Sequence, residues 1–325
     1  MTRVTRRTIL GALALAPVAA PIPVYGQKAF SYSLRPERIA DQIWVVRGND
    51  GPIAMANGGA IANIGIIGTA AGAVLFDSGP SLRYGNALRS LATQLTGKPV
   101  ARVYVSHLHP DHGFGLGAFP ASVTTALPET IREIERDGAG FSDGMYRLLG
   151  DWMRGTEVKS PVLPLTPGIE VIGGRRLRTI ALAGHSGADL CLVDEKSGIL
   201  FAGDLVFHNR APATPEADLA KWRASLDALL SLSPAITVPG HGPVDSTGTA
   251  AIRQTRDWLG WLESSIRDAI LRGLDMAEAG NMPIPERFAG MAAARYELQR
   301  SISHFYPRME AALLPRIDVS DGAIQ

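Results

Sequence analysis

Short apolar runs bounded by glycine, proline and polar residues recur along most of the chain, and towards its end they give way to longer segments with apolar residues at helical spacing. The runs Ile43–Val46, Ala60–Ile67, Ala73–Asp77, Val100–Ser106, Leu177–Ala183, Leu190–Asp194, Ile199–Ala202 and Ala235–Val238 are short, rich in β-branched residues and closed by turn formers, which predicts strands. Between them, Leu82–Leu95, Glu129–Arg136 and Leu219–Leu230 carry the helical period, and Ile252–Leu271 and Glu286–Leu314 predict an amphipathic helical tail. Alternation of strand and helix places the chain in the α/β class. No repeat of solenoid period and no Gly/Ser-rich linker interrupts it, so we expect one domain over residues 27–250 followed by a helical extension over residues 251–325.

Residues 1–26 follow another logic. Arg6 and Arg7 precede an apolar run from Ile9 to Ala20 and a proline-rich stretch, the layout of an export signal of the twin-arginine kind. Cleavage between Gly26 and Gln27 is favoured over cleavage after Ala20, because Pro21 would then follow the scissile bond. A membrane span needs about 20 consecutive apolar residues, and this run is shorter and broken by Pro17. The expectation is therefore a folded protein delivered to the periplasm by the twin-arginine export machinery, with no stable membrane anchor once the signal is removed.

Composition narrows the partners. The 325 residues are 46% hydrophobic and 19% charged with a formal net charge of +1, an ordinary globular balance. Removing a leader that holds Arg3, Arg6 and Arg7 and no acidic residue lowers that charge by three, to −2. Such a chain has no basic excess to recruit nucleic acid, and a small-molecule substrate is the expected partner. The single cysteine, Cys191, excludes an intrachain disulfide and a cysteine-cluster metal site; its apolar neighbours predict a buried small hydrophobe.

The histidines carry the chemistry. His107-Leu108-His109-Pro110-Asp111-His112 follows the predicted strand at Val103–Val105 and sets four potential ligands on one tight loop. His185 follows a strand in Gly184-His185-Ser186, Asp204 in Ala202-Gly203-Asp204, and His241 in Gly240-His241-Gly242. Strand carboxyl ends are where α/β folds gather their active-site loops. Five of the seven histidines fall in these positions, so they form a metal site rather than a scatter. His208 and His304 are left over, the first read as a surface or capping residue and the second as packing or solvent-facing.

His-x-His-x-Asp-His, a later Gly-His, then Gly-Asp and Gly-His-Gly, preceded by Phe76-Asp77-Ser78-Gly79, resembles the metallo-β-lactamase-fold hydrolase superfamily from about Ile43 to Pro243. The resemblance implies an αββα sandwich with two zinc ions on its rim. One ion would be held by His107, His109 and His185 and the other by Asp111, His112 and His241, with Asp204 bridging them and Asp77 ordering the site from outside. The arginine-pair leader and the Tyr296-Glu297-Leu298 region further resemble the periplasmic SoxH-like group of quinoprotein relay system zinc metallohydrolases. β-Lactam cleavage is disfavoured as the main activity, because true metallo-β-lactamases generally carry Cys or Ser where this chain has Asp204.

Two divalent ions bridged by a carboxylate acidify a shared water toward neutral pH, and the resulting hydroxide cleaves a small ester, lactone, thioester or related bond without a serine or cysteine nucleophile. Asp111 has two readings here, as a ligand of the second metal and as the catalytic group that orients the water and carries its proton. The second ring nitrogens of the histidines need partners, for which Asp77 and Asp189 are candidates. Aromatic residues in Gly138–Thr156 or on the tail helices could shape the pocket, although Trp258 and Trp261 are better read as packing the tail. Two other functions compete: an iron sulfur dioxygenase-like redox enzyme with one metal, and a metal-containing accessory protein of quinoprotein or sulfur metabolism.

Overall fold

A computed structural model describes residues 30–314, and the export signal expected over residues 1–26 lies outside them. The first sheet begins with an antiparallel series, β1 (Pro36–Ala40), β2 (Ile43–Val46), β3 (Ile64–Thr69) and β4 (Gly72–Phe76), and continues in parallel through β5 (Val100–Tyr104), β6 (Thr124–Ala126) and β7 (Leu163–Pro164). A second sheet has the order β12-β11-β10-β9-β8, from β8 (Gly168–Ile172), β9 (Arg175–Leu182), β10 (Asp189–Asp194), β11 (Ile199–Phe201) and β12 (Ile236–Val238), with only the β11–β12 pair parallel. β1, β6, β7 and β8 are absent from the hydropathy reading. They are short or half-exposed and lack its continuous apolar signal.

Every residue of β2 is buried, and the alternation shows why. Ile43 and Val45 join Ile67, Phe76, Leu190, Leu192 and Phe201 in the core that draws on both sheets. Trp44 and Val46 turn the other way, into a cluster with Ile64, Ile66 and Leu75 and with Tyr84 and Leu88 of α1 (Leu82–Thr96). A strand covered on both faces reads as a continuous apolar run. Ser81 caps α1 by accepting from the Tyr84 amide at 3.2 Å, and Gly97, at φ 69°, ends it in the left-handed conformation that suits glycine. The second sheet is covered likewise: Cys191, Val193 and Leu200 pack with Trp222 and Leu226 of α4 (Leu219–Ser231) and with Trp258 and Leu262 of α5 (Ala250–Leu271). Helix, sheet, sheet and helix therefore stack as an αββα sandwich.

Helical order differs from the expectation in two places. The helix expected over Glu129–Arg136 is α3 (Pro128–Leu149), preceded in the chain by one turn, α2 (Pro110–Gly113), and running through Gly138, Gly140 and Gly144 without a break. Glycines weaken a helical pattern in sequence, but Gly138 has a packing reason: a Cβ there would meet Val158 Cγ1 at 2.7 Å. After α6 (Met276–Gly280), the tail segment expected to be one helix over Glu286–Leu314 is two, α7 (Glu286–Ala289) and α8 (Ala294–Leu313). Between them Ala292 exchanges backbone bonds with the 209–211 segment, its amide donating to Asn209 O at 2.8 Å and its carbonyl accepting from Ala211 at 3.0 Å, and Ala293 sits at φ 55°. Residues 31–314 belong to one compact unit, in which Leu298 and Ile302 of α8 share the α4–α5 cluster.

Candidate metal centre

All seven sequence-predicted site residues lie buried at one end of the strands, in two adjacent groups. The potential ligand atoms of His107, His109, His185 and Asp204 fall within 4.8 Å of one another, and so do those of Asp111, His112 and His241. In the first group His109 presents Nδ1, 2.9 Å from His107 Nε2 and 3.0 Å from His185 Nε2. In the second, Asp111 Oδ2 stands 3.5 Å from Nε2 of both His112 and His241. Asp204 lies between them: Oδ2 is 3.4 Å from His185 Nε2 and 3.1 Å from His241 Nε2, and Oδ1 is 3.1 Å from His112 Nε2.

Local structure accounts for each placement. Asp204 follows Gly203, whose φ of 52° turns the chain sharply out of β11, and Gly240 packs against it so closely that a Cβ would stand 1.9 Å from Asp204 Oδ1. Pro110 begins α2 directly after His109, so Asp111 and His112 sit in a helical first turn where proline is tolerated. The strand expected over Ala60–Ile67 begins only at Ile64, because residues before it are diverted to the His241 loop. Asn63 donates from Nδ2 to Pro239 O at 2.9 Å and Gly242 O at 2.8 Å, and Ile61 O accepts from His241 Nδ1 at 2.9 Å.

The remaining ring nitrogens are held from outside the two groups. Asp77, itself at φ 70°, takes His112 Nδ1 at 2.7 Å and binds the Ser106 amide and hydroxyl at 2.7 and 2.9 Å. Ser106 Oγ also lies 2.9 Å from His107 Nδ1. Glu216, which no sequence signal singled out, lies 2.8 Å from His109 Nε2. Asp189 does not take a ring nitrogen: its carboxylate accepts from the amides of His185 and Ser186 and from the Ser186 hydroxyl, so it shapes the His185 loop through the backbone. α3 holds the same loop, with Thr130 Oγ1 donating to Ala188 O at 3.1 Å and Gly187 approaching Glu133 so closely that a Cβ would stand 2.1 Å from its Oε1.

The electrostatics suit cation binding. Burial, with neighbouring imidazoles adding to it, holds His107 far below its ordinary value and His185 at about 3, so both keep neutral, lone-pair-bearing rings. Burial works against charge on Asp204, yet His241 and His112 beside it hold its carboxyl well below the usual range. His112 Nε2 and Asp204 Oδ1 are both buried and neither has a hydrogen-bond partner, although 3.1 Å separates them. Burial works against charge on His112, yet Asp204, Asp111 and Asp77 hold its ring well above the ordinary value, so it carries a proton that a cation shared by the two groups would replace. Imidazole nitrogen and carboxylate oxygen in two sets joined through one aspartate fit a pair of divalent ions.

A cleft of about 450 Å³ opens over the groups. Phe141, Met145 and Leu148 of α3 line it, so the Gly138–Thr156 region does contribute a wall, whereas Trp258 packs on Trp261 and Phe288 inside the tail. His304, expected as packing or solvent-facing, is exposed on the cleft lining, and His208 caps the Pro243 carbonyl at 2.8 Å. Cys191 is fully buried.

A family model described as the metallo-beta-lactamase superfamily matches residues 57–241. Among curated proteins, the chain is 26% identical over 212 residues to beta-lactamase-like protein 2 homolog of Caenorhabditis elegans, covering 64% of each chain. It is 26% identical over 215 residues to an atrochrysone carboxyl ACP thioesterase of Aspergillus fumigatus, covering 66% of this chain and 59% of that one. The chain thus spans less than two thirds of the length of either relative. Among solved structures, a metallo-beta-lactamase from Pontibacter korlensis superposes with a TM-score of 0.58 at 20% identity, over 70% of this chain and 99% of that one, a likeness of fold. The match encloses every loop that carries the clustered histidines and aspartates, and this chain accordingly belongs to the metallo-beta-lactamase superfamily.

Proposed function

We propose that the chain is a dinuclear zinc hydrolase of the periplasm that cleaves a small ester, lactone, thioester or related bond. The observation that carries the reading is the position of Asp204, one carboxylate placed between two complete sets of buried nitrogen and oxygen donors. His107, His109 and His185 would hold one ion and Asp111, His112 and His241 the other, with Asp204 common to both. Two such ions supply Lewis acidity and a water acidified toward neutral pH. The chain's own part is to fix the donors: Asp77, Ser106, Glu216 and the Ile61 carbonyl orient four of the five rings from their far sides. Asp111, the one carboxylate of the second group and part of the cleft lining, would hold a proton for the leaving group as well as bind.

The thioester member of this substrate class draws support from the relatives named as carboxyl ACP thioesterases. Asp204 in place of a cysteine or serine keeps β-lactams disfavoured. A single-iron redox centre would leave Asp111, His112 and His241 as a buried donor set without a task, so the two-metal reading is preferred. Membership of the SoxH-like quinoprotein relay group and delivery by twin-arginine export rest on the leader and on Tyr296-Glu297-Leu298.

Metal analysis of protein purified from the periplasm, with hydrolysis of a lactone, thioester, β-lactam and phosphodiester panel, tests the reading. We expect two zinc ions per chain and activity on the ester-like members. One iron with no hydrolysis overturns it. Asp204→Ala is expected to lose at least one ion and roughly 100-fold or more in rate; unchanged occupancy and rate would remove the bridging role.

A further inference from the structure

The lining of the cleft has two characters. Ile53, Phe141, Met145 and Leu148 make part of it apolar, with Leu148 58% exposed. Another part comes from α8, which presents Tyr296, Arg300 and His304. α8 lies beyond residues 57–241, the part of the chain that the family model matches.

Charge pairing along α8 leaves a cation facing the cleft. Glu297 is fully buried, and its Oε1 lies 2.7 Å from Nη2 of Arg210, which is itself 3% exposed. The same carboxylate is 3.4 Å from Arg300 Nη1. One carboxylate between two guanidinium groups leaves one positive charge in excess. The shorter, buried contact assigns Glu297 to Arg210, since a buried ion must be paired closely. Arg300 keeps a side chain 38% exposed, with its guanidinium 5.5 Å from the centre of the Tyr296 ring. The cleft's other carboxylates are already engaged: Asp111 and Asp204 lie in the two donor groups, and Glu216 pairs with His109. Arg300 donates to Glu297 from Nη1 alone, and a planar guanidinium has a second edge suited to two-point recognition of a carboxylate or phosphate.

We propose that Arg300 determines specificity by binding an anionic oxygen group at the end of the substrate remote from the scissile bond, while an apolar portion of that substrate lies against α3. The substrate class is thus an ester or thioester with an apolar body and a carboxylate or phosphate tail. This rests on the hydrolase reading of the cleft, and the experiment separates the two.

The zinc-loaded full chain is assayed with three thioesters that share one acyl body and end in a methyl, a carboxylate or a phosphate. Wild type is expected to favour an anionic tail over methyl by about 10–100-fold in kcat/KM, the worth of a charge-assisted hydrogen bond, and the better of the two tails identifies the anion. Arg300→Ala should bring the ratio near one, chiefly through KM; Arg300→Lys should restore part of it, and Arg300→Glu should favour an ammonium-tailed thioester. Retention of the wild-type ratio in Arg300→Ala overturns the proposal. Calorimetric binding of adipate against hexanoate needs no turnover. If no thioester is cleaved, the thioester member of the proposed substrate class fails; tighter binding of adipate that Arg300→Ala abolishes then still supports Arg300, and equal binding of the two acids overturns it.

Discussion

At the level of single residues, the centre depends on side chains that never touch a metal. Asp77 is the clearest, because one carboxylate orients His112, fixes the Ser106 amide and, through the Ser106 hydroxyl, reaches His107. Asp77→Asn replaces one acceptor oxygen with a donor, and we expect metal affinity to fall by about 10–100-fold, measured by competition with a chromogenic chelator, with the fold intact by circular dichroism. Asp77 could be picked out in sequence because it ends a strand in a recognisable Phe-Asp-Ser-Gly. Glu216 could not: it sits in Thr214-Pro215-Glu216-Ala217 with no spacing to any ligand, and reaches His109 only when the chain folds over a separation of 107 residues.

Among the elements, α3 does the most to connect scaffold and site. Its full length was not legible, because three glycines interrupt the helical pattern, and the reason for tolerating Gly138 is a tertiary contact with Val158. Glu133, on its buried face, accepts from the Gly187 amide two residues beyond His185. Burial first, and then Glu129 and Asp189, push its carboxyl from 4.5 up to about 7. A carboxyl whose value is raised by folding keeps its proton in the native state while the unfolded chain has lost it, so stability falls as pH rises from about 4.5 to 7 and levels off above that. Glu133→Gln, which has no proton to lose, should flatten that slope in urea unfolding at pH 5 and pH 8, by about 2 kcal/mol of difference between wild type and variant.

For the molecule as a whole, the boundary expected near residue 250 meets a shared core. Trp258, Leu262, Ile266, Leu298 and Ile302 complete the cluster that covers Cys191, Leu200 and Trp222. Fully burying one such side chain contributes about 1.5–3 kcal/mol, so losing five of them rivals the 5–15 kcal/mol that holds a typical domain. Residues 27–249 alone should therefore show no cooperative thermal transition and should bind a hydrophobic dye, as calorimetry and fluorescence would report. A stable, cooperatively folding fragment would show instead that the boundary separates two domains.

The continuous apolar strands, the α/β class and all seven clustered donors were readable before folding, because hydrophobic period and strand-end position are local properties of the chain, whereas β1, β6, β7 and β8 lacked that signal. The order of the strands, the opening of the Ala60–Asn63 segment to hold the His241 loop, the break between α7 and α8 and the partnership of Glu216 with His109 were not. Each of these depends on hydrogen bonds and contacts between residues far apart in sequence, and such pairings have energies only once the two sheets have closed on each other.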